Sequence, residues 1–317
     1  MFRGFEQADF DKLAHHWQSF YPQKYWVNAE LIKQQTVESP VFDWGASQIY
    51  DGGKEYGFAI VKKSASPLLY KGNDPDISHL SAIAFTGPQI GIDLLASVKR
   101  VLRARGCYKL VFGQDSRHFF PGCPKDCNSL RDFLTVEGFL PGQEVFDLER
   151  DISDYVPKAG SAEKLTGDTR VEPITHKTFK AFSEMIEREF PGRWTYDVRE
   201  KIVLENKTDF VYGLFVGDQI EGFAFTQDYT HRYPINGCVW HLALGDRWGG
   251  LGPIGVAASS RGKGLGDALL AGALLGLKER GVHNMNIDWT SLDRYYGGHG
   301  FDITRQYNSF ELKLETQ

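Results

Sequence analysis

Residues 255–266 read Gly255-Val256-Ala257-Ala258-Ser259-Ser260-Arg261-Gly262-Lys263-Gly264-Leu265-Gly266. A short apolar stretch runs into three glycines at alternate positions, and a long apolar stripe starts there. Leu265, Leu269, Leu270, Ala273, Leu274 and Leu277 fall on one face of a helix over 262–280. Arg280 sits in its last turn and Gly281 can stop it. Backbone N–H groups at a helix start have no intrahelical partner, and with the helix dipole they attract phosphate. Glycine admits close approach to the main chain because no Cβ intervenes. Arg261 and Lys263 add positive charge. A diphosphate site on Arg261, Gly262, Lys263, Gly264, Leu265 and Gly266 is expected. It is not a dinucleotide fingerprint, whose last glycine position is Asp267, nor a P-loop, since Gly264 rather than Ser or Thr follows Lys263. The plainer alternative is a glycine turn with no ligand.

Outward from this turn, the chain repeats itself. Ile90-Gly91-Ile92-Asp93-Leu94-Leu95 matches Leu265-Gly266-Asp267-Ala268-Leu269-Leu270 at an offset of 175, the difference between 266 and 91. The same offset pairs Leu102 with Leu277, Arg105 with Arg280 and Gly106 with Gly281. Gly138-Phe139 matches Gly300-Phe301 at an offset of 162, so the first copy carries 13 extra residues around Ser116–Asn128. A register held over separate segments points to a tandem duplication. The expected domains are residues 1–153 and 169–317, with 154–168 as a polar linker.

Each unit reads as α+β, a mostly antiparallel central sheet flanked by helices. In the second, helical spacing covers His176–Phe190 and Pro191-Gly192 breaks it. A second short helix is expected over Asp197–Leu204. Phe210–Val216 and Ile220–Thr226 flank Gly217-Asp218-Gln219 as a hairpin. Strands follow at Gly252–Ala257, Asn284–Trp289 and Phe301–Leu314, with a short helix at Leu292–His299. The first unit has helices at Ala8–Phe20 and Gln89–Arg105.

The bulk composition narrows the classes of partner. The 317 residues are 42% hydrophobic and 24% charged, with a net charge of −5. Basic clustering of the kind that binds nucleic acid is missing, which favours a small-molecule partner. The N-terminus lacks the apolar core of a secretory signal, and the longest apolar stretch, Ala268–Leu277, falls short of a membrane span. Four cysteines in this length make no disulfide framework. Cys123 and Cys127 lack the second ligand pair of a metal site, so no metal is expected. A cytoplasmic protein without nucleic-acid or membrane partners is the expectation, its oligomeric state open.

Arg261-Gly262-Lys263-Gly264-Leu265-Gly266 matches the R/Q-x-x-G-x-G/A signature of the GNAT acetyltransferase superfamily, and Tyr296-Gly297-Gly298-His299-Gly300-Phe301 resembles its later Y-x-x-x-G-F segment. The likeness covers the C-terminal unit and, more faintly, the N-terminal one. Two-unit chains of that superfamily include mycothiol synthase and glucosamine or glucosaminide acetyltransferases, and this chain is similar to that group. The resemblance implies acetyl-CoA as co-substrate, with its pyrophosphate on the amides of Gly262–Gly266. It implies that Val256 and Ala258 offer backbone groups to the acetyl carbonyl and the pantetheine arm. It further implies that the strand of Val256 and the strand ending near Asp288 part to admit that arm. Tyr296 takes the role of general acid toward the departing thiolate, with Tyr295 as the neighbouring alternative.

The pattern has departures. Trp289 stands where the family often has Asn. The approach to the signature, Trp248-Gly249-Gly250-Leu251-Gly252-Pro253, holds no carboxylate or imidazole for a general base. Asp288 is the first candidate base, Asp246 and His241 are alternatives, and transfer without a dedicated base is another. In the first copy the signature positions read Thr86-Gly87-Pro88-Gln89-Ile90-Gly91, without the basic residue or the central glycine, and Leu134 replaces the tyrosine. The expected activity is direct acetyl transfer from acetyl-CoA to the primary amine of a small molecule. Trp194, Tyr196, Trp240, Trp248 and Trp289 offer stacking surfaces that suit an amino sugar. A non-catalytic acetyl-CoA-binding module and a protein or peptide N-acetyltransferase are the rival readings.

Overall fold

In the computed structural model, residues 1–64 and 74–315 are described, the side chain of Ala162 apart. The elements run β1 (Phe2–Arg3), α1 (Phe10–Phe20), α2 (Ala29–Gln35), β2 (Gln48–Asp51), β3 (Tyr56–Lys63), β4 (Ile77–Phe85), α3 (Pro88–Ala104), β5 (Lys109–Phe112), β6 (Cys123–Pro124), α4 (Asn128–Val136) and β7 (Leu140–Asp151). They continue with β8 (Thr169–Pro173), α5 (Phe179–Glu189), α6 (Arg193–Glu205), β9 (Val211–Val216), β10 (Gln219–Asp228), α7 (His241–Leu244), β11 (Gly249–Val256), α8 (Leu265–Glu279), β12 (Asn284–Thr290), α9 (Asp293–Gly297) and β13 (Asp302–Lys313). This is a mixed α/β fold with mostly antiparallel sheet and flanking helices. The residues group into two compact units. Of the described residues, the first takes 1–64 and 74–146 together with 305–315, and the second takes 147–304.

In the first unit β2, β3 and β4 are antiparallel neighbours, and β5 joins β4 in parallel. The chain's last strand completes the unit, with Phe310 opposite Phe112 and Leu312 opposite Leu110. In the second unit β8, β9, β10 and β11 form an antiparallel run, and β12 joins β11 in parallel. Burial of one face drives this arrangement. Phe182, Met185 and Ile186 of α5 pack with Val198, Phe210, Phe215, Phe223 and Phe225 in one apolar cluster. The Leu and Ala stripe of α8 is buried from Leu265 to Leu277, as its spacing requires.

Element boundaries move for local reasons. The central helix begins at Leu265, not at Gly262, because Gly262 (φ 74°) and Gly264 (φ 76°) take left-handed conformations that cannot continue a helix. The second helix of this unit starts at Arg193, four residues before the expected start. Gly192 (φ 101°) makes the break abrupt and the helix resumes at once. The segment 116–128 is not an exposed loop. Arg117, His118, Phe119, Phe120 and Cys123 are buried within the first unit, with Phe119 and Phe120 against Trp17.

Candidate functional site

The glycine turn closes the short passage from β11 to α8. Ala258–Ser260 form a single 3-10 turn, Arg261 is extended, and Gly264 caps α8 in a left-handed conformation. No side chain caps this helix. Among the described residues, no turn or loop hydrogen bond is made by the amides of Gly262 to Gly266. A Cβ at Gly262 would meet nothing within 4 Å, so the backbone there is open. Lys164 lies along the turn, its Cε 3.2 Å from the point a Cβ of Gly264 would take. With Arg261 and Lys263 in the turn itself, three cationic residues lie on or beside the uncapped amides. A diphosphate suits this turn by charge, by donor set and by the room that Gly262 leaves.

Strands β11 and β12 hold together only over Gly249↔Met285, Gly250↔Asn286 and Leu251↔Ile287. Beyond that register β11 continues along β10 to Val256, while β12 runs on to Thr290. The two strands therefore part at the approach to the turn, and residues 252–256, Asp288 and Trp289 are only half-buried. A β-bulge accompanies the parting: residues 252 and 253 together oppose Phe225, between the pairs Thr226↔Leu251 and Ala224↔Ile254. A bulge bends its strand and shifts the alternation of faces by one residue, which puts Gly252 and Gly255 on one face.

Asp288 lines this gap, and Tyr296 lies within its electrostatic reach. Asp288 directs Oδ1 to within 3.1 Å of the point a Cβ of Gly252 would take. Burial, and then the charge of Asp288, push the Tyr296 phenol up to about 12. Tyr296 thus keeps its proton through the neutral range and lies in the electrostatic reach of the candidate base. Tyr295 is differently engaged. Burial and the Asp267 carboxylate, to which it hydrogen-bonds, push its phenol far up, and its hydroxyl lies 3.8 Å from the Cβ point of Gly266. Asp267 also receives His299 Nε2 at 3.2 Å, which ties α9 to the first turn of α8.

The alternative bases sit before β11, His241 at the start of α7 and Asp246 in the loop that follows it. Asp246 is exposed. The His241 ring packs on Trp248 at 5.8 Å and its Nδ1 lies 3.3 Å from the Cys238 carbonyl; burial holds it below the usual histidine range. The backbone groups expected to serve a pantetheine arm have partners within the chain. The Ala258 amide donates to Glu189 Oε2 at 3.1 Å, and the Val256 carbonyl accepts from Arg261 Nε at 2.9 Å. Glu221 accepts from Ser259 and Ser260 at 2.7 and 2.8 Å. Glu189 and Glu221 thus brace the 3-10 turn, and no local sequence signal marked either of them. Phe190 was also missed: a Cβ on Gly255 would meet it at 2.6 Å, and would meet Trp194, one of the expected stacking surfaces, at 3.1 Å.

The corresponding place in the first unit is filled. There β4 and β5 pair in parallel up to Leu80↔Phe112. Beyond it, Ser81 donates to Asp115 at 3.0 Å, and Asp115 pairs with Lys62 at 2.6 Å, both side chains wholly buried. The Tyr21 phenol donates to the Ile83 carbonyl at 2.7 Å and accepts from the Ile83 amide at 3.3 Å. Phe120 packs on Tyr21 and Trp17. Helix α3 begins at Pro88, which has no N–H to offer.

No protein-family model matches the chain, and no curated protein matches it. Solved structures do. A GCN5-related glucosamine N-acetyltransferase region of a fungal multi-domain GH3 β-N-acetylglucosaminidase matches 98% of the chain with a TM-score of 0.87 at 19% identity. The chain spans only 38% of that protein. A GCN5-related N-acetyltransferase from Sphaerobacter thermophilus matches with a TM-score of 0.69 at 15% identity, over 99% of this chain and 96% of the other. A tandem GNAT protein from the clavulanic acid biosynthesis pathway matches with a TM-score of 0.67 at 13% identity, over 100% of this chain and 99% of the other. At these identities the likeness is one of fold, and the fold is that of the GCN5-related N-acetyltransferases.

Proposed function

We propose that the chain is an N-acetyltransferase that moves acetyl from acetyl-CoA to the primary amine of an amino sugar by direct transfer. The observation that carries this reading is the uncapped glycine turn, with its surrounding cations, standing beside two strands that part next to Asp288 and Tyr296. Acetyl-CoA supplies an activated acetyl group as a thioester. The amides of Gly262, Gly264, Leu265 and Gly266, with Arg261 and Lys263, would hold its diphosphate. Asp288 takes the proton that the attacking amine must lose, and main-chain N–H groups along the gap stabilise the oxyanion. Tyr296, protonated at neutral pH, returns a proton to the leaving thiolate. The amino sugar as acceptor draws support from the exposed aromatic surface at the gap and from the glucosamine N-acetyltransferase region among the structural neighbours.

The two sequence copies, residues 1–153 and 169–317, are read as tandem domains of the same origin. In each unit two antiparallel strands lead into a helix and a parallel strand: β3, β4, α3, β5 in one and β10, β11, α8, β12 in the other. Only the second copy keeps the glycine turn and the tyrosine.

Thermal unfolding with rising acetyl-CoA tests the cofactor site, because a ligand that binds only the folded state raises its apparent stability by mass action. Wild type is expected to gain several degrees and Gly264→Glu none. A shift without CoA release on any amine would leave a binding module, and no shift at all would remove the enzyme reading.

A further inference from the structure

The five aromatic side chains expected to offer stacking surfaces differ sharply in exposure. Trp240 is 1% exposed, Trp248 7% and Tyr196 4%, so all three belong to the core. Trp289 is half-exposed, but the Arg193 guanidinium covers its ring at 4.4 Å. Trp194 is 40% exposed. A tryptophan is the largest apolar side chain, and exposing that much of one forgoes hydrophobic stabilisation.

We infer that Trp194 is the platform on which the ring of the acceptor stacks, and that the acceptor is a pyranose bearing a primary amine. This rests on the acetyltransferase reading above and deepens it. Trp194 sits in the first turn of α6, and its Cζ3 lies 3.1 Å from the Cβ point of Gly255, on the part of β11 that has left β12. The preceding residue, Arg193, reaches Trp289 on the freed end of β12. Adjacent residues of one helix turn therefore touch both lips of the gap. The Trp194 ring is fixed from behind by Phe190, stacked at 5.5 Å, and by the edge of Phe223 at 6.2 Å. A braced ring loses little entropy when it takes a ligand.

The spacing selects the ligand's shape. Asp288 faces Gly252 and Trp194 faces Gly255, on the same face because of the bulge. Three residues of strand span about 10 Å, and a bulge shortens this. A ring with an amino group on one edge fills that span, with the nitrogen toward Asp288. The flat C–H face of a pyranose suits an indole, and its hydroxyl edge remains free for Arg193 and water. A straight-chain amine would reach Asp288 without touching the platform.

Steady-state kinetics on wild type, Trp194→Ala and Trp194→Phe, with glucosamine and with a linear primary amine at saturating acetyl-CoA, test the assignment. Trp194→Ala is expected to raise KM for glucosamine about ten-fold. It should leave kcat within about two-fold and the KM for acetyl-CoA unchanged. Trp194→Phe should recover most of the loss, and the linear amine should be indifferent to either change. An unchanged glucosamine KM in Trp194→Ala, an equal rise for both amines, or a wild type that prefers the linear amine would overturn the platform. The acetyl-CoA thermal shift, read before any amine is added, separates the cases. If the shift is present, those results condemn the platform alone; if it is missing, the acetyltransferase reading falls and the platform with it.

Discussion

Tyr296 and Asp288 make one electrostatic unit, and each sets a limit on the other. Burial is the larger reason that the phenol titrates near 12, and the neighbouring carboxylate adds to it. A phenol raised in the folded state favours the native protein below about pH 10, and that contribution is lost as pH climbs through about 12. The same shift keeps the proposed general acid protonated over the working range, so the alkaline limb of a pH–rate profile should not come from Tyr296 below about pH 12. Tyr296→Phe is expected to lower kcat by about 10²-fold or more with little change in the KM for acetyl-CoA. Asp288→Asn should bring the phenol part of the way back toward 10, which ultraviolet titration of the folded protein would register. A kcat in Tyr296→Phe equal to wild type would remove the residue from catalysis. Of this pair the tyrosine was the more legible, because it lies in a contiguous segment with its own punctuation, Tyr296-Gly297-Gly298-His299-Gly300-Phe301. Glu189 left no such trace: it meets the Ala258 amide across 69 residues of chain. Nor does composition separate Trp194 from Trp240, since only packing decides which indole is buried.

Helix α8 shows the same contrast one level up. Its buried stripe was plain from the 3.6-residue period, which is a local property. Its two inner glycines were not interpretable in that way, because their reason lies on distant strands. A Cβ at Gly272 would meet Val171 of β8 at 2.7 Å, and one at Gly276 would meet the Tyr212 hydroxyl of β9 at 2.1 Å and its Cζ at 2.4 Å. Helix propensity alone argues for alanine at both, by roughly 1 kcal/mol each. Here packing wins, since overfilling a close contact costs about 1–3 kcal/mol. Tyr212 is buried and has little freedom to swing away. Gly276→Ala is therefore expected to lower the melting temperature by a few degrees, and pairing it with Tyr212→Ala should cost less than the sum of the two single changes. A rise in melting temperature for Gly276→Ala would mean that the contact relaxes freely and that propensity governs the site.

At the scale of the whole chain the proposed duplication rests on glycines and arginines that keep their spacing, whereas the grouping into compact units was not legible. Strand pairing is non-local: the final strand, with Phe310 opposite Phe112, completes the first unit although it ends the second copy. The asymmetry between the copies has a functional consequence. The second unit leaves its parallel strands apart and its helix start uncapped. The first answers the same backbone with its own side chains: Tyr21 takes both polar groups of Ile83, the Lys62–Asp115 pair sits wholly buried, and Pro88 opens the helix. Making room there for a pantetheine arm would mean breaking those hydrogen bonds, at about 1–3 kcal/mol each, and leaving a buried charge without its partner, at about 3–5 kcal/mol. Isothermal titration with acetyl-CoA should accordingly give one site per chain. Gly264→Glu should abolish that site, while Tyr21→Phe, which loses the phenol but keeps the ring, should leave the stoichiometry at one. A second site in wild type, or one that survives Gly264→Glu, would show that the first unit opens to the ligand and that its filled gap is not a barrier.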